Sequence, residues 1–139
     1  MNEQENTKIV QQIYEDFKTG DIQSVLNSYA EDIQWQIPEM ENVPHAGKRQ
    51  GREQVGQFFS ELADSQDVVE FEPQEFELIA QGDRVVVLGY YSWRVKATGR
   101  EFDSDWVHVW TVKDGKLTHF HEYIDTAAVS RAYTPAQTA

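Results

Sequence analysis

The chain contains no cysteine among its 139 residues, which excludes disulfide bonds and metal sites built from thiolates. It also lacks any apolar run near the ~20 residues that a membrane-spanning helix needs. The N-terminal segment MNEQENTKIV is polar and has no apolar core of the signal-peptide type. These absences lead us to expect a cytoplasmic protein that folds without covalent cross-links and does not enter a membrane.

Basic residues are also scarce. Twelve Lys and Arg residues face 24 Asp and Glu residues, so the formal net charge is −12. Such a chain repels phosphate groups, and we therefore expect neither nucleic acid nor an anionic membrane as a partner. The length suits one domain with a real core. We expect this domain to span residues 1–133 and the tail TPAQTA, residues 134–139, to be frayed.

Helical spacing of apolar residues dominates the first half of the chain. Residues 3–19 carry a buried stripe with Tyr14 at its edge, and a second helix follows from Ile22 to Tyr29. The alternating segment DIQWQIP predicts a short strand that stops at Pro38. Residues 39–51 are predicted to form a loop, and GREQVGQFFSELAD a third helix.

The pattern changes to period two after the third helix. The segments VVEFEPQEFELIA, RVVVLGYYSWRVK, EFDSDWVHVWTV and LTHFHEYID predict four antiparallel strands, the first interrupted at Pro73. Asp125 is placed to cap a final helix, TAAVSRAY. Three helices with a short strand, followed by a four-stranded meander, predict an α+β fold with helices packed on one face of a curved sheet.

The turn VKDGK allows two registers for the last hairpin. A two-residue Asp-Gly loop would pair Val109 with Phe120 and place His108 on one face with His119 and His121. A three-residue loop would instead put His108 on one face with Phe120 and Glu122. A shift of one residue exchanges the faces of a strand, so the pattern alone leaves both registers open.

The preceding turn, at Thr98-Gly99, is simpler to interpret. A two-residue loop there predicts that Tyr91 lies opposite Trp106, Trp93 opposite Ser104 and Gly89 opposite His108.

Four segments, in this order, carry a family resemblance that covers essentially the whole chain: FKTGD, SVLNSYAEDIQWQIP, PHAGKRQGREQVGQFF and KDGKLTHFHEYID. The chain resembles the SnoaL-like, or ketosteroid-isomerase-like, proteins of the nuclear transport factor two superfamily. The resemblance implies a cone-shaped α+β barrel, in which the N-terminal helices pack in the concave face of a curved antiparallel sheet. It also implies a deep pocket at one end and frequent dimers through the outer sheet face.

The same resemblance favours the three-residue register and places Glu122 where related epoxide hydrolases and SnoaL-type cyclases carry a catalytic acid. Other family residues are not matched. The catalytic Tyr and Asp of the steroid isomerases fall on Ile13 and Ile37. The Arg and Asp of limonene-epoxide-hydrolase-like proteins fall on Gly89 and Tyr91. Neither of those two mechanisms is supported by this chain.

Glu122 and His108 are therefore the candidate catalytic residues. A carboxylate in an apolar cone can exchange a proton with a substrate, and the imidazole could donate to a ligand carbonyl or to Glu122 itself. Alternatively, Glu122 is an outward carboxylate and His108 a satisfied core residue. Five aromatic residues are predicted to line a cavity for a small apolar molecule, or else to form packed core: Trp35, Tyr91, Trp93, Trp106 and Phe120.

The other three histidines are weaker candidates for site residues. His119 and His121 share one strand face, but a stable zinc site needs three or four ligands. His108 would join them only in the two-residue register, so we expect no metal and place this pair at the surface or a dimer interface. His45 lies in a loop, either as a lid contact or exposed. The basic run Lys48, Arg49 and Arg52 is expected to be a solvated helix start.

Three functions are compatible with these residues. The first is a cofactor-independent enzyme that isomerises, cyclises or hydrates a small apolar carbonyl compound. The second is a binding domain without catalysis, and the third is a dimerisation module with a filled core. An apolar patch on the outer sheet face predicts a homodimer in each case: Val86, Leu88, Tyr90, Val107 and Val109.

Overall fold

The computed structural model of the protein describes residues 2–73 and 78–135. In these ranges the helices are α1 (Glu3–Lys18), α2 (Ile22–Asn27), α3 (Arg52–Ser65) and α4 (Thr126–Tyr133). The strands are β1 (Tyr29–Ile37), β2 (Gly47–Gln50), β3 (Gln66–Pro73), β4 (Ile79–Gln81), β5 (Arg84–Val95), β6 (Glu101–Lys113) and β7 (Lys116–Tyr123). No helix in the described ranges is long and apolar enough to cross a membrane.

Most predicted elements are present, with local corrections. Asp21 and Asp125 cap α2 and α4 by accepting hydrogen bonds from the backbone N–H of Ser24 and Ala128. Tyr29, expected at the end of the second helix, begins β1 instead, and the predicted loop at 39–51 contains β2. The predicted strand at 68–80 corresponds to β3 up to Pro73 and to β4 from Ile79. Its residues 74–77 lie outside the described ranges, as do tail residues 136–139.

The sheet is curved and unclosed, with strand order β2-β1-β7-β6-β5-β3, and β4 also pairs with β5. All pairings are antiparallel except that of β1 with β7. Side chains on β5 and β6 alternate between buried and half-buried or exposed positions, as period two requires. The buried face packs against apolar residues of the helices, including Val10, Ile13 and Val55.

The last hairpin combines features of both predicted registers. Asp114 and Gly115 have positive φ angles of 50° and 78° in a two-residue turn, and Lys113 lies opposite Lys116. A bulge at Thr118 then shifts the ladder by one residue. Beyond the bulge His108 lies opposite Glu122. The faces are therefore those of the three-residue alternative, although that alternative would have paired His108 with Phe120.

The predicted pairing of β5 with β6 is wrong by two residues. Gly89 lies opposite Trp106, Tyr91 opposite Ser104 and Val87 opposite His108. The connection is longer than a two-residue loop, because the Val95 backbone N–H donates to the Arg100 carbonyl at 2.8 Å and encloses residues 96–99. An even shift leaves every side chain on its predicted face, so the inner face of the sheet is unchanged.

Candidate functional site

A small cavity lies between the concave face of the sheet and helices α1 and α3. It has a volume of about 80 Å³, and nearly all of its lining is apolar. The lining residues with polar groups that can exchange or donate a proton include Tyr14 from α1, Tyr91 from β5, His108 from β6 and Glu122 from β7. Four separate elements therefore bring the chemically active groups to one place.

His108 and Glu122 form the centre of this group. Nε2 of His108 lies 2.7 Å from Oε2 of Glu122, and the two side chains are only 9 % and 13 % exposed. The bulge at Thr118 produces this contact, because it turns Glu122 towards the face that carries His108. A buried imidazole and a carboxylate at this distance form a strong hydrogen bond.

Tyr14 is the site residue that the sequence pattern missed. Its hydroxyl lies 2.7 Å from Nδ1 of His108, and it accepts a hydrogen bond of 3.0 Å from Nε1 of Trp110. Burial raises the pKa of Tyr14 far above its usual range, so the side chain remains a neutral phenol. The sequence did offer one indication of this role. Tyr14 lies on the apolar stripe of α1, and a buried tyrosine hydroxyl usually has a hydrogen-bond partner.

Tyr91 reaches the same carboxylate from β5. Its hydroxyl donates to Oε2 of Glu122 at 3.3 Å. Burial raises the pKa of Tyr91 well above its ordinary value, and the nearby Glu122 carboxylate adds to this effect. Tyr91 is therefore a permanent donor, and Oε2 of Glu122 receives hydrogen bonds from two sides.

Four of the five predicted wall residues line the cavity: Trp35, Tyr91, Trp93 and Phe120. Trp35 stacks on Phe120 with ring centroids 4.0 Å apart and an interplanar angle of 27°. The indole N–H groups of Trp35 and Trp93 are buried without a hydrogen-bond partner among the described residues. These walls combine flat apolar surface with two unused donors.

Trp106, the fifth of these residues, does not line the cavity and is packed core, which was the alternative expectation. Its indole stacks on the imidazole of His108 with centroids 4.0 Å apart and an angle of 18°. Gly89, opposite on β5, leaves the space for this indole: a Cβ atom there would lie 2.1 Å from Cζ2 of Trp106. Trp106 thus supports the ring of His108 from behind.

His119, His121 and Tyr123 lie on the outer face of the sheet, away from His108. His121 stacks on Tyr123 at 4.1 Å, and His119 contacts the hydroxyl of Thr118. Across residues 2–73 and 78–135 we find no group of three His, Asp or Glu side chains arranged to hold a metal ion.

His45 is buried, so the exposed-loop interpretation does not hold. It is 6 % exposed and contacts the rings of Phe58 and Tyr133 edge-on. Burial lowers the pKa of His45 to about 4.

The predicted basic cluster is divided by the fold. Arg49 pairs with Glu61 of α3 at 3.0 Å, and Arg52 donates to the carbonyl of Tyr29. Lys48 and Arg49 both line a groove on the outer face of the sheet. Arg52 does not line this groove, so the three residues do not form a single patch.

Comparison with known proteins agrees with this geometry. The family model of the SnoaL-like domain matches residues 10–120. The chain is similar to an NTF2-like protein from Burkholderia xenovorans, with 37% sequence identity over 96% of this chain and 99% of that chain, and a TM-score of 0.84. The predicted cone-shaped α+β fold is thereby confirmed.

Two further solved structures bear on chemistry. The chain is 28% identical to TerC, a protein co-crystallised with polyporic acid, over 93% of this chain and 98% of that chain, with a TM-score of 0.75. It is 25% identical to a candidate SnoaL-like polyketide cyclase from Mesorhizobium loti, over 84% of this chain and 96% of that chain, with a TM-score of 0.71. No curated protein sequence matches the chain.

Proposed function

Because the chain belongs to the family of SnoaL-like domains, we propose that it is a cofactor-independent enzyme that transfers protons on small apolar carbonyl compounds, as an isomerase or a cyclase. The observation that carries this proposal is the position of Glu122, a carboxylate at the wall of an apolar cavity, held at one oxygen by His108 and Tyr91.

The hydrogen bonds of Glu122 leave one oxygen for a substrate. Within the described ranges, both hydrogen bonds to this carboxylate reach Oε2. A carboxylate oxygen acts as an acceptor only, and Oε2 is occupied by these two contacts. Oε1 is then free to accept a proton from a bound molecule, as a general base does.

The cavity wall indicates the kind of substrate. In the described part of the chain no Lys or Arg side chain lines the cavity, so no cation is present there to bind an anionic ligand. Stacked aromatic rings such as Trp35 and Phe120 favour a flat apolar molecule. At about 80 Å³ the cavity is smaller than a typical ligand site of roughly 300–1,000 Å³. A small substrate fits this volume, and a larger one would have to displace the aromatic rings.

The proposed reaction needs only a base and hydrogen-bond donors. Glu122 removes a proton from the carbon beside the carbonyl, and the electron pair moves onto the carbonyl oxygen. The N–H groups of Trp35 and Trp93, or the hydroxyl of Tyr91 once Glu122 is neutral, donate to this oxygen. Returning the proton to another carbon completes an isomerisation. Attack of the carbanion on a second carbonyl of the same molecule, followed by protonation of the new alkoxide, completes a cyclisation.

Two solved relatives support this choice of chemistry. One is the candidate polyketide cyclase, and the other is TerC, which was crystallised with the organic compound polyporic acid. Both are 25% or more identical to this chain.

Deuterium exchange tests the proposal without knowledge of the natural substrate. The purified protein is incubated in D₂O with 2-tetralone and with 3-cyclohexenone, and mass spectrometry measures deuterium at the carbon beside the carbonyl. We expect exchange faster than in buffer, and a loss of about 10²–10⁴-fold for Glu122→Gln. The matched control is Glu61→Gln, because Glu61 pairs with Arg49 outside the cavity and should exchange at the wild-type rate.

An equal rate for wild type and Glu122→Gln would refute the acid–base role. The small volume of the cavity favours one second candidate, a binding domain without catalysis. In that case, tryptophan fluorescence would respond to polyporic acid or to the ketones while no deuterium is incorporated. Trp35 and Trp93 line the cavity and supply this signal.

A further inference from the structure

A chain of hydrogen bonds leads from the core to the candidate base, and its direction is set at one end. The indole of Trp110 has an N–H group that can only donate. Its Nε1 lies 3.0 Å from the hydroxyl oxygen of Tyr14, so that oxygen accepts. The hydroxyl hydrogen of Tyr14 must therefore point to a different partner.

His108 is that partner. Nδ1 of His108 lies 2.7 Å from the Tyr14 hydroxyl, and it is the other hydrogen-bond contact of this group in the described ranges. Tyr14 is only 7 % exposed, and a buried hydroxyl hydrogen without an acceptor is unfavourable. Nδ1 must then be the acceptor, and it carries no hydrogen.

The second ring nitrogen follows from the first. A neutral imidazole carries one hydrogen, and if Nδ1 has none, Nε2 has it. Nε2 lies 2.7 Å from Oε2 of Glu122 and donates to it. An imidazolium would need a second N–H at Nδ1, directed at a phenol oxygen whose own hydrogen would then lose its acceptor.

From this geometry we infer that Trp110 and Tyr14 are positioning residues that hold His108 as the neutral Nε2–H tautomer and so maintain Glu122 as a carboxylate. The catalytic meaning of this inference rests on the proposed function, but the protonation pattern itself does not. Tyr14 contacts His108 from α1, and Glu122 contacts it from β7. Among the described residues, Tyr91 of β5 is linked to His108 through Glu122.

Three neighbouring rings hold the imidazole in this orientation. Trp106 stacks on one side of the ring at 4.0 Å, and Phe120 contacts it edge-on at 4.8 Å. Tyr14 lies almost parallel to the imidazole, with an interplanar angle of 10°. A ring packed between these neighbours cannot rotate to exchange its nitrogens without displacing them.

Nitrogen-15 NMR of the histidine side chains tests the inference on the wild-type protein. At pH 7 we expect His108 to show one pyridine-type nitrogen, Nδ1, and one pyrrole-type nitrogen, Nε2. Its signals are identified by their loss in His108→Gln. Two pyrrole-type nitrogens, or the reversed tautomer, would overturn the inference.

Variants then test the roles of the two positioning residues. Tyr14→Phe should shift the Nδ1 signal of His108 by removing its donor. Trp110→Phe should shift the same signal, because the Tyr14 hydroxyl then loses the contact that fixes its direction. Tyr133→Phe is the matched control, because its buried hydroxyl bonds to Ser65 and Gln66 instead. Unchanged His108 signals in both variants would refute these roles.

The two proposals fail separately. If the wild-type protein shows the expected tautomer but no deuterium exchange with any ketone, the proposed function fails and the positioning network stands. If exchange depends on Glu122 while His108 is an imidazolium, the network inference fails and the proposed function stands.

Discussion

His108 and Glu122 face each other across β6 and β7, with Nε2 and Oε2 2.7 Å apart, because Thr118 is left out of the ladder between the two strands. The turn alone pairs Lys113 with Lys116. Continued without a bulge, that register would place His121 opposite His108 and turn Glu122 to the outer face. The unpaired Thr118 therefore determines that Glu122, and not His121, lies opposite His108.

Deleting Thr118 should leave the site intact. The shortened strand would pair continuously from Lys116, and Glu122 would still lie opposite His108. We expect the free energy of unfolding, measured in urea, to change by less than about 2 kcal/mol. Deleting Val112 from the facing strand is the contrasting variant, since it increases the mismatch to two residues and should abolish cooperative unfolding. Similar behaviour of the two deletions would contradict this account of the bulge.

Gly89 should tolerate no side chain. A Cβ atom at this position would lie 2.1 Å from Cζ2 of Trp106, so Gly89→Ala must displace the indole that supports His108. We expect a loss of at least about 1–3 kcal/mol in the free energy of unfolding, together with a changed tryptophan emission spectrum. Gly56→Ala is the control, because its nearest neighbour, Cδ1 of Leu26, lies at 3.6 Å. That variant should gain roughly 0.5–1 kcal/mol, since glycine weakens a helix.

Acid should destabilise the protein through His45. Burial lowers its pKa to about 4. The carboxylates of Glu122 and Glu61 raise this pKa by smaller amounts, and Arg49 lowers it by a smaller amount. In the unfolded chain the pKa returns to its ordinary value of 6.5. Between pH 6.5 and pH 4 the unfolded state therefore binds more protons, and stability falls as the pH is lowered.

This contribution should amount to about 2 kcal/mol between pH 7 and pH 5. Urea unfolding at the two pH values measures it, and His45→Leu should remove that part of the pH dependence. His119→Gln serves as the control, because His119 is exposed on β7. The same loss of stability on acidification in wild type and His45→Leu would show that His45 is not responsible.

We expect the protein to be a homodimer through the outer face of its sheet. Val86 and Val109 lie opposite each other at the centre of this face, as do Leu88 and Val107. A groove of about 520 Å³ on one side carries Lys48, Arg84, His119 and His121. The opposite side carries acidic residues of β3 and β6: Glu70, Glu72, Asp103 and Asp105. A face with one basic and one acidic end is self-complementary in a two-fold dimer.

Sedimentation velocity at micromolar concentration tests this assembly. Val109→Lys places a charge in the centre of the patch and should give monomers. Val68→Lys is the comparison, because Val68 is 54 % exposed on β3 and lies outside the central patch. A monomeric wild-type protein, or equal sedimentation of the two variants, would refute the dimer.

Much of the fold followed from residue spacing. The apolar stripe of α1, the alternation on β5 and β6, and the caps Asp21 and Asp125 are local features, and the structure contains them. Trp106 shows the limit of such reasoning. The period-two pattern predicts that Trp106 faces inward. Its contact with His108, however, depends on the absence of a side chain at Gly89, which lies opposite Trp106. The predicted β5–β6 pairing places Gly89 opposite His108 instead.

By itself, the sequence determined which residues share a face, because period two and the helical repeat act within a single element. The tertiary structure decided how far neighbouring strands are offset, since a turn and a bulge set that offset together. It also decided that Tyr14 meets His108, 94 residues away, because this contact depends on where α1 packs against the sheet. Local periodicity carries no information about the offset between strands or about the position at which α1 packs.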